Sequence, residues 1–128
     1  MIDLQECRNE IDKIDSDIIR LFEQRMKVCE DVAEYKIRTG KKVLDPERER
    51  QKLEVLRGKA HGEFNQLGAQ ELFQQIMAIS RKRQYQLLAI VVLSVRCCRI
   101  INVNYVTWKS SWAVSYTHLR AHETRHDL

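Results

Sequence analysis

The sequence predicts an all-α protein whose chain forms three helices, the first of them long. Three observations support this fold class. Apolar residues recur every three or four positions from Leu4 to Tyr35, and the pair Asp45–Pro46, with the only proline of the chain, marks a helix start. A second apolar stripe follows the three glycines of residues 58–68.

The first helix is predicted to run from Asp3 to Arg38, and at 1.5 Å per residue it would be roughly 50 Å long. That length exceeds the diameter of a domain of this size, so we expect a second chain to bury part of its apolar stripe. Arg25 occupies the stripe position between Leu21 and Val28, and a buried arginine needs an anion to offset its desolvation. The helix therefore predicts a helical oligomer with an internal anion site. This first helix is numbered α1, and the apolar residues of its α1 stripe are Leu4, Cys7, Ile11, Ile14, Ile18, Leu21, Val28, Val32 and Tyr35.

Two shorter helices are predicted after Gly40, which ends the first. Asp45 caps the second helix and Pro46 takes its first position, so that this helix covers Pro46–Arg57. Residues 58–68 form a glycine-rich connection, and the third helix follows over Ala69–Leu88. The apolar stripe of the third helix includes two polar residues four positions apart, and its members are Leu72, Phe73, Ile76, Met77, Ser80, Gln84 and Leu87.

Residues 90–128 differ from the rest of the chain, because they are rich in β-branched and aromatic residues and show no helical period. Within them, Val114–Thr124 resembles the translation of a sequencing adaptor, so we expect this tail to carry no part of the function. We expect residues 1–89 to form the functional domain and residues 90–128 to be an unassigned tail, irregular or artefactual. A genuine small β appendage is the alternative.

Charge and hydropathy narrow the possible partners. The net charge of +4 lies mostly in the tail, which holds five Lys/Arg and two Asp/Glu. Residues 1–89 hold 17 Lys/Arg and 16 Asp/Glu. A nearly neutral body argues against a nucleic-acid partner. Leu87–Val95 is too short to span a membrane and the chain opens without a basic-then-apolar signal sequence, so we expect no membrane association and a cytoplasmic location. The four cysteines show no metal-ligand spacing, so no metal is expected.

Three cations on the first helix are candidate binding residues. Arg25 and Lys36 are eleven residues apart, on nearly the same face and roughly 16 Å apart along the axis, so they can flank a small molecule. Arg8 lies some 25 Å from Arg25, and could reach that site only from the antiparallel helix of a partner chain. Taken singly, each cation has an ordinary structural explanation at the surface or near the helix end.

The other two helices contribute polar residues on shared faces. Asp45, Arg48 and Glu49 lie on one face of the second helix, and Ser80 and Gln84 lie on the stripe of the third. A cap, a solvated face or an interhelical hydrogen bond would explain each of them alone. The whole set places several cations and neutral donors on inward faces, which predicts an anion site more strongly than any single residue does.

The order of these residues resembles the all-helical chorismate mutase family, the AroQ class. The opening LQECRNEIDKIDSDIIRLFEQR, the DPERE segment Asp45–Glu49 and the SRKRQ segment Ser80–Gln84 carry the resemblance, which covers residues 3–88. It implies an intertwined homodimer of three-helix chains that rearranges chorismate to prephenate in phenylalanine and tyrosine biosynthesis, without a cofactor or a metal. Electrostatic stabilisation of the transition state would accelerate this reaction.

By that resemblance, Arg25 and Arg48 would bind the two substrate carboxylates, with Ser80 assisting. Arg8 would complete the site from the partner chain. Paired arginines suit a dianion, because a guanidinium is always charged and binds a carboxylate through two hydrogen bonds.

The remaining roles concern the reacting part of the substrate. Asp45 and Glu49 would lie near the ring hydroxyl. Lys36 and Gln84 would donate hydrogen bonds to the ether oxygen, on which the breaking C–O bond leaves partial negative charge in the transition state. The expected catalytic residues are Lys36, Gln84, Glu49 and Arg25.

Two other functions fit the same helices. A related helical lyase that eliminates pyruvate from isochorismate would keep the fold and change the reaction. A non-catalytic helical dimerisation module would use the polar stripe residues only to fix the register of helix pairing.

Overall fold

The computed structural model describes residues 1–101, and the side chains of residues 1–97. The helices are α1 (Leu4–Thr39), α2 (Pro46–Lys59) and α3 (Glu63–Ile101), and no strand occurs among the described residues. The predicted all-α class with a long first helix is therefore confirmed. The chain divides into two compact units, residues 1–88 and residues 89–128. The adaptor-like segment Val114–Thr124 and the alternative β appendage lie outside the described residues.

Local capping signals fix both ends of α1. The Asp3 side chain accepts a hydrogen bond from the Gln5 amide at 2.8 Å, so Asp3 caps the start of the helix. Gly40 takes the left-handed conformation at φ 71°, and its amide donates to the Lys36 carbonyl. The 36 residues between these caps make a helix about 54 Å long.

The α1 stripe is exposed in the single chain along its whole length. Residues 1–21 are all exposed, so the first half of α1 buries almost nothing against the described part of its own chain. The second half packs through a different face, where Ala33 and Glu30 are buried and the Glu30 carboxylate pairs with Arg83 of α3 at 2.9 Å. The chain thus leaves a long apolar surface uncovered.

The second helix begins where the Asp–Pro pair predicts. The Asp45 side chain accepts the Arg48 backbone amide at 3.1 Å, and Pro46 starts the helix. The helix ends at Lys59, two residues beyond the prediction, because Gly58 continues it. A glycine near a helix end costs only about 1 kcal/mol relative to alanine.

Both predicted ends of α3 are wrong. The helix begins at Glu63 rather than Ala69, because Gly62 (φ 84°) provides the turn and its carbonyl accepts the Gln66 amide at 3.0 Å. It continues to Ile101 rather than ending at Leu88, so residues 90–101 are helical where we expected an irregular tail. Valine and isoleucine lower helix propensity only slightly, and they do not end a helix that is already formed.

The inward face of α3 largely follows the predicted stripe. Met77, Ser80, Gln84 and Leu87 are buried, and Phe73 and Ile76 are half-buried. Leu72 is 54% exposed, so its predicted place in the stripe is wrong. Of the helices as far as the structure describes them, none combines the length and the apolar character that crossing a membrane requires.

Candidate active site

A cavity of about 180 Å³ lies between the three helices, within residues 1–88. Seven of the eight predicted site residues line it, and Arg8 does not. The structure therefore brings together side chains that are up to 59 positions apart in sequence, from the three helices and from the linker between α1 and α2 (residues 40–45). The lining residues are Arg25, Cys29, Lys36, Val43, Asp45, Arg48, Glu49, Lys52, Met77, Ser80, Arg81 and Gln84.

Helix α1 supplies two cations to the cavity, as their spacing predicts. Arg25 is half-buried, and its Nη1 donates to the Cys29 Sγ at 3.6 Å. The Lys36 Nζ donates to the backbone carbonyl of the buried Val43 at 2.8 Å. An ammonium has three N–H donors, so this bond fixes the Lys36 head group and leaves two donors for another acceptor.

Helix α2 supplies one face of its first two turns. Asp45, Arg48, Glu49 and Lys52 follow one another at steps of three, one and three residues, which places all four on the same side. The Asp45 carboxylate is engaged as the helix cap. The Glu49 carboxylate accepts a hydrogen bond from the Arg81 guanidinium of α3.

Helix α3 supplies two neutral polar residues at buried positions. Ser80 is 5% exposed and Gln84 6%, and the Gln84 Nε2 donates to the Ser80 Oγ at 3.2 Å. The Gln84 Oε1 is buried and has no hydrogen-bond partner among the described residues. If the amide turned by half a revolution, the Ser80 hydroxyl would donate to Oε1 and the NH₂ group would take the unpartnered position. A buried amide with one unsatisfied end is ready to bind a polar ligand atom.

The charge of the cavity lining is strongly positive. Both acidic side chains are already engaged, Asp45 by a backbone amide and Glu49 by Arg81. No carboxylate of the described residues lies within ion-pair distance of Arg25, Arg48 or Lys52, and none pairs with Lys36. Converging cations without protein counter-ions favour an anionic ligand, and guanidinium groups favour carboxylates in particular. The five basic residues of the lining are Arg25, Lys36, Arg48, Lys52 and Arg81.

Arg8 stands apart from this cavity. It is exposed on the first turns of α1, seventeen residues before Arg25 and therefore about 25 Å away along the helix axis. Within one chain it cannot join the other seven residues. Its entry from a partner chain stays a prediction.

Five lining residues were not predicted from the sequence: Cys29, Val43, Lys52, Met77 and Arg81. Helical spacing could have found three of them, because Cys29 is four positions after Arg25, Lys52 is three after Glu49, and Met77 is three before Ser80. Arg81 gave no such signal, because it is adjacent to Ser80 and points about 100° away from it. It reaches the cavity only because its side chain is long and Glu49 faces it across the helix pair.

Comparisons with known proteins identify relatives of the chain in sequence and in fold. The family model described as chorismate mutase type II matches residues 7–85. A chorismate mutase of Methanocaldococcus jannaschii is 34% identical over 87 residues, which cover 66% of this chain and 87% of the relative. A bifunctional chorismate mutase/prephenate dehydratase of Aquifex aeolicus is 39% identical over 56 residues, which cover 44% of this chain but only 16% of that protein. The solved structure of chorismate mutase (form II) from Thermus thermophilus superposes with a TM-score of 0.61 at 26% identity, over 64% of this chain and 93% of that one.

Proposed function

Because the chain belongs to the chorismate mutase type II family, we propose that it converts chorismate to prephenate in the cavity between its three helices. One observation carries this proposal: four cations without a carboxylate partner among the described residues converge with a buried amide on one small cavity. Chorismate is a dianion, and its rearrangement is a concerted bond exchange within one molecule. Such a reaction needs a charged, shaped site rather than a nucleophile.

Arg25 and Arg48 bind the two substrate carboxylates, with the Ser80 hydroxyl assisting. The positions of the two arginines support this role, because α1 presents one and α2 the other to the same cavity. Holding both carboxylates folds the enolpyruvyl arm over the ring before the reaction starts. The entropy of that folding is then lost on binding and not in the transition state.

Lys36 and Gln84 stabilise the ether oxygen as the C–O bond breaks. The Lys36 ammonium is fixed by the Val43 carbonyl and keeps two donors, and the Gln84 amide is buried beside Ser80. The Lys36 ammonium is oriented before the substrate arrives, so it needs little reorganisation when negative charge develops. The Gln84 amide presents its NH₂ group to the ether oxygen after a half-turn, in which the Ser80 hydroxyl donates to Oε1. Asp45 and Glu49 lie near the ring hydroxyl.

Two chains form the working enzyme, and Arg8 of each chain completes the site of the other. The exposed α1 stripe supports this proposal, because its apolar residues need a partner surface that the described part of the single chain does not offer. A second α1, packed antiparallel, supplies such a surface and brings the first turns of one helix to the far end of the other.

Residues 1–89 form the mutase domain, and residues 90–128 add nothing to its activity. The family match ends at residue 85, and the compact unit that holds the cavity ends at Leu88. Expression of residues 1–89 alone tests this division. The shorter chain should retain the full specific activity, and a large loss would assign the later residues a role.

A product assay tests the reaction itself. The purified full chain should consume chorismate and release prephenate, and Arg25→Ala should remove most of that activity. Lys27→Ala is the matched control, because Lys27 is exposed on the same helix and does not line the cavity. Pyruvate release from isochorismate without prephenate formation would indicate the lyase instead. Unchanged chorismate would indicate a dimerisation module.

A complementation assay tests the shared site. Arg8→Ala and Lys36→Ala should each be nearly inactive, yet their random 1:1 mixture should recover about a quarter of wild-type activity, because half of the dimers are hybrids with one intact site of two. If Arg8 acted within its own chain, every site of the mixture would carry a defect and the activity would stay low. Sedimentation should give the mass of a dimer for both variants.

A further inference from the structure

The ion pair between Glu49 and Arg81 separates two cavities. Both side chains line the candidate active site, and both also line a neighbouring cavity of about 670 Å³ between α2 and α3. The two residues are 32 positions apart in sequence and join α2 to α3, and their side chains are only 26% (Glu49) and 30% (Arg81) exposed. It is therefore part of the wall of the site rather than a solvated surface contact.

The geometry of the pair leaves half of the carboxylate available. The Arg81 Nη1 donates to the Glu49 Oε2, and the Glu49 Oε1 has no partner among the described residues. An ionised carboxylate can accept several hydrogen bonds, so Oε1 can accept one from a ligand hydroxyl while Oε2 stays bound. Without Arg81, the long and flexible glutamate side chain would lose its fixed direction, because several rotamers would become accessible.

Charge gives a second reason for the pair. A carboxylate in the wall of the cavity repels a dianionic ligand, and the neighbouring guanidinium offsets that repulsion. The other cations of the cavity do not offset the charge of Glu49 in this way, because none of them is paired with Glu49 in the described part of the chain.

We propose that Arg81 is a positioning residue that acts through Glu49: it holds this carboxylate in the direction that receives the ring hydroxyl and neutralises its charge toward the substrate. This inference rests on the proposed function. It assigns Arg81 no contact with the substrate.

A double-mutant cycle on the full chain tests the inference, with wild type, Arg81→Met, Glu49→Gln and the double variant assayed for chorismate turnover. Arg81→Met should lower kcat/KM by about tenfold, a typical coupling for residues in one ion pair, and should raise KM. In the Glu49→Gln background the same change should cost less than about twofold, because the carboxylate that Arg81 positions is already gone. Arg81→Lys should recover part of the loss, and Lys82→Met, an exposed neighbour, should have no effect.

The outcomes separate the possible roles of Arg81. If Arg81→Met lowers kcat/KM equally in both backgrounds, Arg81 acts on the substrate directly and the inference is overturned. A loss of kcat at unchanged KM, in proportion to a loss of folded protein, assigns the pair a purely structural role and also overturns it. If the methionine variant does not fold, the same cycle with Arg81→Gln tests whether Arg81 acts through Glu49. An inactive wild-type chain would refute the proposed function, which is a different result from an active chain without coupling.

Discussion

Replacing Lys36 by alanine separates the catalytic part of this side chain from its structural part. In the structure the Lys36 Nζ has one acceptor among the described residues, the Val43 carbonyl at 2.8 Å, and it also lines the candidate active site. The bond to Val43 ties the end of α1 to the linker. The two remaining N–H donors are the ones that the ether oxygen of the substrate would use.

The two parts differ in expected size. Losing a charged hydrogen bond to the buried Val43 carbonyl should lower the free energy of unfolding by about 1.5–3 kcal/mol. Losing a preorganised donor to the developing negative charge should raise the activation barrier by about 3–4 kcal/mol, which lowers kcat about a hundredfold to a thousandfold. Stability loss alone does not reduce the turnover of molecules that remain folded.

Urea unfolding and prephenate formation, both measured at equal protein concentration, resolve the two effects. Lys42→Ala is the matched control, because Lys42 is exposed beside the same linker and does not line the candidate active site. It should change neither quantity. The proposed role of Lys36 is refuted if Lys36→Ala remains folded and its kcat stays within about threefold of wild type, because the loss of an oriented donor should lower kcat far more.

Two further predictions concern stability. Gly40→Ala should lower the free energy of unfolding by about 1–2 kcal/mol, because Gly40 has φ 71°, which disfavours a side chain. Gly58→Ala should raise the free energy of unfolding by about 0.5–1 kcal/mol, because Gly58 lies inside α2 with open space around it. Equal effects of the two substitutions in chemical denaturation would contradict the helix-end geometry. The hydrogen bond from Arg50, and then that from Gln51, lower the pKa of Glu47 from its usual 4.5. The ionised carboxylate therefore stabilises the fold above about pH 4.5 and loses this contribution as the pH falls through the lowered pKa, so Glu47→Gln should lose less stability in acid than wild type does. An identical acid dependence of the two unfolding curves would count against this linkage.

The sequence predicted best what short-range chemistry decides. Asp3, Gly40 and Asp45 act on backbone groups within four residues of themselves, so their identity alone locates three helix ends. The burial of Ser80 and Gln84 also followed from local spacing, because residues four apart share a helical face.

Long-range contacts were harder to predict, and so was a helix start that depends on a glycine. The start of α3 depends on Gly62, and nothing in the sequence distinguishes this glycine from Gly68, which lies inside the helix. The pairing of Glu49 with Arg81 depends on how α2 and α3 face each other, so periodicity within one helix cannot reveal it. Arg8 shows the same limit, because its assignment depends on a second chain.

The clustered cations that suit the site to a dianion also lower the stability of the ligand-free protein. Four cations face one cavity without a carboxylate partner among the described residues, and their mutual repulsion opposes the packing of α1 against α2 and α3. A leucine at the half-buried Arg25 would remove part of this repulsion and abolish the site. A dianion that binds only the folded state removes the repulsion and adds RT ln(1 + [L]/Kd) to the stability, so binding and local order are coupled. Arg25 in the α1 stripe and Gln84 in the α3 stripe are therefore best understood as stability given up for recognition of a ligand with two negative charges.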